Sequence, residues 1–331
     1  MRGALAADPA AVSGAAAGRL LAGGERIVVT GAGGWLGLAT LEMLAELFGE
    51  AFGERVVCFG GRERRLALRG GAEAVQHELS AIADLPAAPS LVLHLAFITQ
   101  GPQMTLSAAD YATANRALSQ QVRAALGPIG ARAVFQASSG AAALADPAGG
   151  AQSKALYGWL KTLDEAAFAD WAEAGGRGCL IGRVFNLSGP YVNRRSSYAL
   201  ASFIGDALAG RPIEVRAAAP VWRSYVAIAE LMSVVLAWLS GEAEGVARFE
   251  TAGAETLEAG EIARRVASVL APAIEVHRPR FDPHAPADRY VGDGAGYEIL
   301  RRAANVAGAS FDDQIRATAR YMADYPEAPA S

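Results

Sequence analysis

Two rhythms of apolar spacing run through the first half of this chain. Short continuous apolar runs recur, and longer stretches with apolar residues at helical intervals separate them. Residues 27–30 are the first run, and 38–44 after them carry helical spacing. Further runs at 55–59, 74–79, 91–97, 131–137 and 179–185 read as strands two to six. Residues 106–126 and a stretch from about Ser153 to 174 read as long helices, and a loop holding Pro147 precedes the second. The run at 91–97 is continuous and apolar, as a central parallel strand is. Strands that alternate with helices in this way predict an α/β fold with a doubly wound parallel sheet.

From Asn186 onward the rhythm breaks. Helices are predicted at 198–209, 227–239, 261–270 and 311–322, and short strands at 213–215 and 248–250. Residues 277–288 hold three prolines and read as an extended loop. The pattern describes a smaller mixed α/β lobe over the open edge of the sheet. Three parts follow: an Ala/Gly-rich extension at 1–25, a nucleotide-binding domain at 26–187, and a substrate lobe at 188–331. The chain re-enters the sheet around 213–250. Within the extension, Asp8-Pro9 is a start signal for a short helix through Leu21. A disordered end is the other reading.

Between the first strand and the first long helix stands Thr30-Gly-Ala-Gly-Gly-Trp-Leu-Gly37. Gly31, Gly34 and Gly37 are three residues apart. Gly31 allows a sharp turn, Gly34 lets a phosphate approach the backbone, and Gly37 lets the helix lie close to the strand. The free N–H groups at the helix start then face an anion. Gly31, Gly33, Gly34, Trp35, Leu36 and Gly37 are therefore candidate dinucleotide contacts in a Rossmann-type fold. Alone, the motif also describes an ordinary glycine-rich turn. The second strand ends in Gly60-Gly61-Arg62, with no carboxylate before Glu63 to accept a ribose diol. Arg62 offers a partner for a 2′-phosphate, so NADP is favoured over NAD. A solvated basic loop is the plainer reading. Glu78 and Leu79, at the end of the third strand, fall near the adenine.

Composition narrows the classes. The net charge is −4 with no basic stripe, which argues against a nucleic-acid partner. No apolar run approaches the length of a membrane span. Cys58 and Cys179 sit in apolar runs and read as buried thiols of a reducing, cytoplasmic compartment. The four histidines show no ligand spacing, so no metal is expected.

Tyr157 and Lys161 stand four apart on one helix, hence on one face. An ammonium beside a phenol stabilises phenolate, which would draw the tyrosine toward neutrality. Ser139, at the mouth of the preceding strand, can bond the same reacting oxygen. Together with the glycine turn, these residues make the chain resemble the extended short-chain dehydrogenase/reductases, the NAD-dependent epimerase/dehydratase family. His94-Leu-Ala96, Ser138-Ser139, Arg183-Val-Phe-Asn-Leu-Ser-Gly-Pro-Tyr191 and Trp222-Arg-Ser-Tyr225 match further family segments.

The resemblance implies that Leu95, Ala96, Phe97 and Asn115 line the cofactor, with Tyr157 and Lys161. It implies substrate contacts from Thr99, Ser138, Asn186, Arg223 and Tyr225, with Arg223 on a nucleotide diphosphate. It implies catalysis by Ser139, Tyr157 and Lys161 on a nucleotide sugar. Two departures matter. Ser224 replaces the usual aspartate of the late motif. Gly140 and Ala141 stand where the family's 4,6-dehydratases carry an Asp-Glu pair, which argues against dehydration. A 4-epimerase or ketoreductase is the reading that remains. A reductase of a non-nucleotide ketone and a non-catalytic NAD(P)-binding protein are the alternatives. A homodimer through the Asn115 and Tyr157 helices is also implied. Leu156, Leu160, Leu163, Ala167 and Trp171 give the second helix more apolar surface than one buried face needs.

Overall fold

The computed structural model describes residues 11–99, 106–145 and 154–326. Helix α1 (Ala15–Ala22) leads into β1 (Arg26–Thr30). Helix α2 (Trp35–Phe48) and the single turn α3 (Phe52–Arg55) carry the chain to β2 (Val56–Gly60). A hairpin of β3 (Arg64–Ala67) and β4 (Glu73–Glu78) follows. Then come β5 (Ser90–His94), α4 (Ala108–Leu126), β6 (Ala131–Ser139), α5 (Lys154–Gly175) and β7 (Gly178–Val184). The second half holds β8 (Asn186–Ser188), α6 (Ala199–Leu208), β9 (Ile213–Glu214), β10 (Val221–Ala227), α7 (Ile228–Leu239) and β11 (Gly245–Glu250). It continues with β12 (Thr256–Glu258), α8 (Ala259–Leu270), β13 (Val276–His277), β14 (Asp288–Tyr290), α9 (Ala295–Ala303) and α10 (Phe311–Asp324).

Eight strands form one sheet in the order β11-β7-β6-β5-β1-β2-β4-β3. The β3/β4 pair is antiparallel, and the other neighbours are parallel. All five residues of β5 are buried, because helices cover both faces. The two-residue period divides the strands cleanly. Ile27, Val29, Leu91 and Leu93 pack with α2 and α7. Val28, Val92 and Val134 pack with α4 and α5 through Val122, Leu126 and Phe168. The strand order reverses between β1 and β5, and a crevice opens there beyond the strand ends. A second core joins α6, α8 and α10 through Leu200, Ile204, Ile262, Val266 and Ile315.

Several boundaries differ from the sequence reading. β11 lies beside β7 in the main sheet, and α7 packs on that sheet. β11 is the re-entry into the sheet that was expected around 213–250. Residues 213–214 pair with β13, not with the sheet. The basic stretch after Arg62 is strand β3, formed because β4 offers a free edge. The proline-rich segment carries β13 and β14 at its ends, and α9 was not expected. Asp8, Pro9, Pro147 and Ser153 lie outside the described residues. Leu156 and Leu160 are consumed inside the subunit, in a cluster with Tyr111. Leu163, Ala167 and Trp171 stay half-buried.

Candidate active site

A cavity of about 1010 Å³ opens along the crevice. Its floor at β1 is the glycine turn. Gly31 has φ 72°, and a Cβ there would lie 2.6 Å from the Ala96 backbone N. A Cβ at Gly37 would lie 2.4 Å from the carbonyls of Gly31 and Ala32. Both positions thus require glycine. Helix α2 starts on Gly34 with no side-chain cap and no acid in its first turn, which leaves its N–H groups for an anion. The residues present therefore form a seat that a dinucleotide pyrophosphate would fill.

At the far end, Gly60 is covered by Gln76, whose buried amide donates to the Arg62 carbonyl at 2.7 Å. Arg62 lines the cavity. So does Arg64, whose Nη2 lies where a Cβ on Gly33 would come within 1.7 Å. Arg65 turns outward to Glu73 at 3.0 Å. Glu78 is exposed and Leu79 half-buried, and neither is in the cavity wall.

Ser139 ends β6, and Tyr157 and Lys161 face it from α5; all three line the cavity. Lys161 donates to the Ala137 carbonyl at 2.8 Å, and its ammonium lies 3.8 Å from the Phe97 ring centre. Burial pulls Lys161 down to about 8, against the opposing pull of Asp164 and Glu165. Burial pushes Tyr157 up to about 12, and its hydrogen bond with Ser139 acts the other way. The expected drift of Tyr157 toward neutrality is thus not what these residues produce. Lys161 lies 6.0 Å from the Tyr157 ring centre and spends its proton on Ala137, so desolvation of the phenol wins. The Ser139 hydroxyl also accepts from the Ala141 N–H and lies 3.2 Å from the Tyr290 hydroxyl.

Three other expected contacts serve as supports. Ser138 borders the cavity, yet its hydroxyl donates to Glu165 at 2.5 Å. Glu165 in turn receives two bonds from Arg183, both at 2.9 Å. This pairing ties α5 to β7, and the Ser138 proton is given to Glu165. Asn115 is not in the wall. Its oxygen accepts from the Ile98 N–H at 2.8 Å and fixes the segment after β5. Ala96 is likewise outside the wall, packed behind Gly31, whereas Leu95 and Phe97 line it. His94 lies beneath, 2.9 Å from the Thr30 hydroxyl and stacked on Phe168 at 4.8 Å. Burial, with some repulsion from Lys161, holds it down at about 3.

The opposite wall comes from the second half. Asn186 lines the cavity while its amide donates to the carbonyls of Ser224 and Tyr290. Arg223 donates to Asp288 Oδ2 at 2.7 Å, with its side chain 16% exposed. Tyr225 is buried against Phe311. Thr99 accepts from Arg194 at 2.8 Å. The Ser224 hydroxyl accepts from the Gly253 N–H at 2.7 Å. Sequence reasoning missed Lys154, Arg64, Arg194, Tyr198 and Tyr290, all in the wall. Lys154 could have been found three residues before Tyr157 on the same helix. Tyr290 had no signal, because parallel pairing of β14 with β10 brings it beside Arg223.

The parallel sheet and glycine turn define a Rossmann-type fold. A model of the NAD dependent epimerase/dehydratase family matches residues 27–249, and the chain belongs to that family. UDP-glucuronic acid decarboxylase 5 of Arabidopsis thaliana is 24% identical over 147 residues, 44% of this chain and 42% of that protein. The match thus spans less than half of that relative's length. A solved UDP-N-acetylglucosamine 4-epimerase from Methanobrevibacter ruminantium M1 superposes with TM-score 0.71 at 17% identity, covering 91% of this chain and 98% of that one. A dTDP-glucose 4,6-dehydratase from Streptomyces venezuelae, solved with NAD, gives TM-score 0.66 at 16% identity, covering 90% and 97%. Among the described residues, no cluster of His, Cys, Asp or Glu could hold a metal, and no helix is long and apolar enough to cross a membrane.

Proposed function

We propose that the chain is a nucleotide-sugar 4-epimerase or ketoreductase that exchanges hydride and proton at a ring carbinol or ketone. The observation that carries this reading is the meeting of Ser139, Tyr157 and Lys161 beside the glycine seat in one cavity. The turn Gly31–Gly37 with the α2 N-terminus would hold the dinucleotide pyrophosphate, and Lys161 the nicotinamide ribose. Bound there, the nicotinamide supplies hydride acceptance or donation. Tyr157, protonated at neutral pH with its position near 12, gives a proton to the sugar oxygen or takes it back. Ser139 orients that oxygen. Lys161 lends positive charge to the phenolate side of the exchange.

Tight packing keeps positions 140 and 158 small, and the lack of an acidic pair at 140–141 supports a reading without dehydration. A Cβ at Gly140 would meet the Phe185 ring at 2.5 Å, and the Ala141 carbonyl would lie 1.9 Å from a Cβ on Gly158. No carboxylate stands at 140–141 to remove water. Arg62 and Arg64 at the end of β2, with Gly60 and Gly61 between strand and loop, support NADP over NAD. That preference favours the reductase within the pair. We infer a homodimer through α4 and α5, where Leu163 and Trp171 remain half-buried. Light scattering at micromolar concentration checks this, with a monomer as the opposing result.

Mass spectrometry of the ligand released from purified protein tests the reading first. NAD or NADP is expected. Assays with UDP-sugars then follow hydride transfer at 340 nm or the change of sugar configuration. Turnover of a simple ketone without any nucleotide-sugar reaction would move the assignment to a non-nucleotide substrate. Cofactor binding without any turnover would move it to a non-catalytic sensor.

A further inference from the structure

Among the described residues, the cavity wall holds six cationic side chains, Arg62, Arg64, Lys154, Lys161, Arg194 and Arg223, and no carboxylate. Most of them have work in the site as described. Arg62 and Arg64 stand at the end of β2, next to the glycine turn. Lys161 is bound to the Ala137 carbonyl, Arg194 to Thr99, and Arg223 to Asp288. Lys154 is different. Among the described residues its ammonium makes no hydrogen bond and no ion pair. The carboxylate that acts on it is Asp288, which is more than half exposed and already paired with Arg223.

The position of Lys154 ties it to the chemistry. It opens α5 three residues before Tyr157, so both lie on one helix face. Its ammonium lies 5.7 Å from the Tyr290 ring centre, and the hydroxyl of that ring is 3.2 Å from Ser139. The Arg223 guanidinium lies 5.9 Å from the centre of the same ring. A sugar held at Ser139 and Tyr157, with its diphosphate at Arg223, therefore meets one further full positive charge at Lys154. Hydroxyls of a neutral sugar match a lysine poorly, since water solvates an ammonium as well as they do. A carboxylate matches it through charge-assisted bonds, which are about twice as strong as neutral ones.

We infer that the sugar of the substrate carries a carboxylate, as a uronic acid does, and that Lys154 is its counter-ion. The inference rests on the nucleotide-sugar reading and names the class of sugar within it. The test is calorimetric titration of the full chain, with NAD or NADP present, by UDP, UDP-glucose and UDP-glucuronic acid. UDP-glucuronic acid is expected to bind at least tenfold more tightly than UDP-glucose. Lys154→Met should erase that advantage, so that the two sugars bind alike, and Lys154→Arg should keep most of it. Equal affinity of the unaltered chain for the two sugars overturns the inference and leaves the nucleotide-sugar reading standing. An advantage that survives in Lys154→Met overturns it as well. Failure of both UDP and dTDP to bind removes the nucleotide-sugar reading, and the inference falls with it; if dTDP binds and UDP does not, the sugar comparison is made with the dTDP-linked pair and the same outcomes decide it.

Discussion

The two ends of the cavity are made of different material. The end at the glycine turn, where we place the dinucleotide, is backbone: glycines without side chains, a bare helix start, and a carbonyl packed where a Cβ would be. The opposite end, where we place the sugar, is side chain: Asn186, Arg223, Tyr225 and Tyr290, drawn from strands far apart in sequence. Backbone sites are specified by what must be absent, and side-chain sites by what must arrive from elsewhere. The first kind tolerates no addition. The second can be altered one group at a time.

The largest expected effect lies where the two ends meet. Tyr157→Phe keeps the ring against Phe97 and deletes the proton carrier, so turnover should fall by ~10²–10⁴-fold. Cofactor binding, followed by fluorescence titration, should hardly change. Unchanged turnover on a confirmed substrate would sink the acid/base role. At the backbone end, Gly37→Ala forces a methyl to within 2.4 Å of two carbonyls, so α2 must shift. Overpacking of this kind costs about 1–3 kcal/mol, and dinucleotide affinity should drop by at least tenfold with it. Normal affinity would show that the turn does not seat the dinucleotide.

At the side-chain end, Arg223→Met retains length and removes charge. Loss of a charge-assisted bond is worth roughly 1.5–3 kcal/mol, so the KM for a nucleotide sugar should rise about tenfold or more. Dinucleotide affinity should stay where it was. If both constants move together, the division between the ends is wrong. The smallest effect comes from beneath both ends. His94 is held neutral in the fold, near 3, whereas an unfolded chain protonates it near 6.5. The unfolded state thus binds more protons below pH 6.5, and stability falls as the pH drops from there toward 3. The slope is about 1.4 kcal/mol per pH unit. Chemical denaturation at pH 7 and pH 5.5 should show this loss, and His94→Gln should lack it.

This division also explains what the sequence could tell. The centre of the sheet was legible because β1, β5 and β7 are largely buried on both faces and write near-continuous apolar runs. The glycine turn was legible because Gly31 and Gly37 exclude any side chain. Ser139, Tyr157 and Lys161 were legible through fixed spacing on one strand end and one helix. Ser138 and Asn115 show the limit of such reading, because spacing places a residue without saying which way its hydrogen bonds go. Ser138 is drawn to the buried Glu165–Arg183 pair, and Asn115 to the backbone of Ile98. The re-entry around 213–250 was expected, but not its register, since β11 pairs with β7 more than sixty residues upstream. Lys154 and Tyr290 meet only through the pairing of β14 with β10, which no local pattern records.

The chain passes between the sheet and the second core repeatedly: β7 runs straight into β8, β10 into α7, and β11 into β12. Strand β10 pairs with β8, β12 and β14, while α7 at its end is clamped onto the sheet by α1 and α2. Among the described residues, such stitching leaves no single connector on which one half could swing against the other. Heat should melt both halves together in one cooperative step.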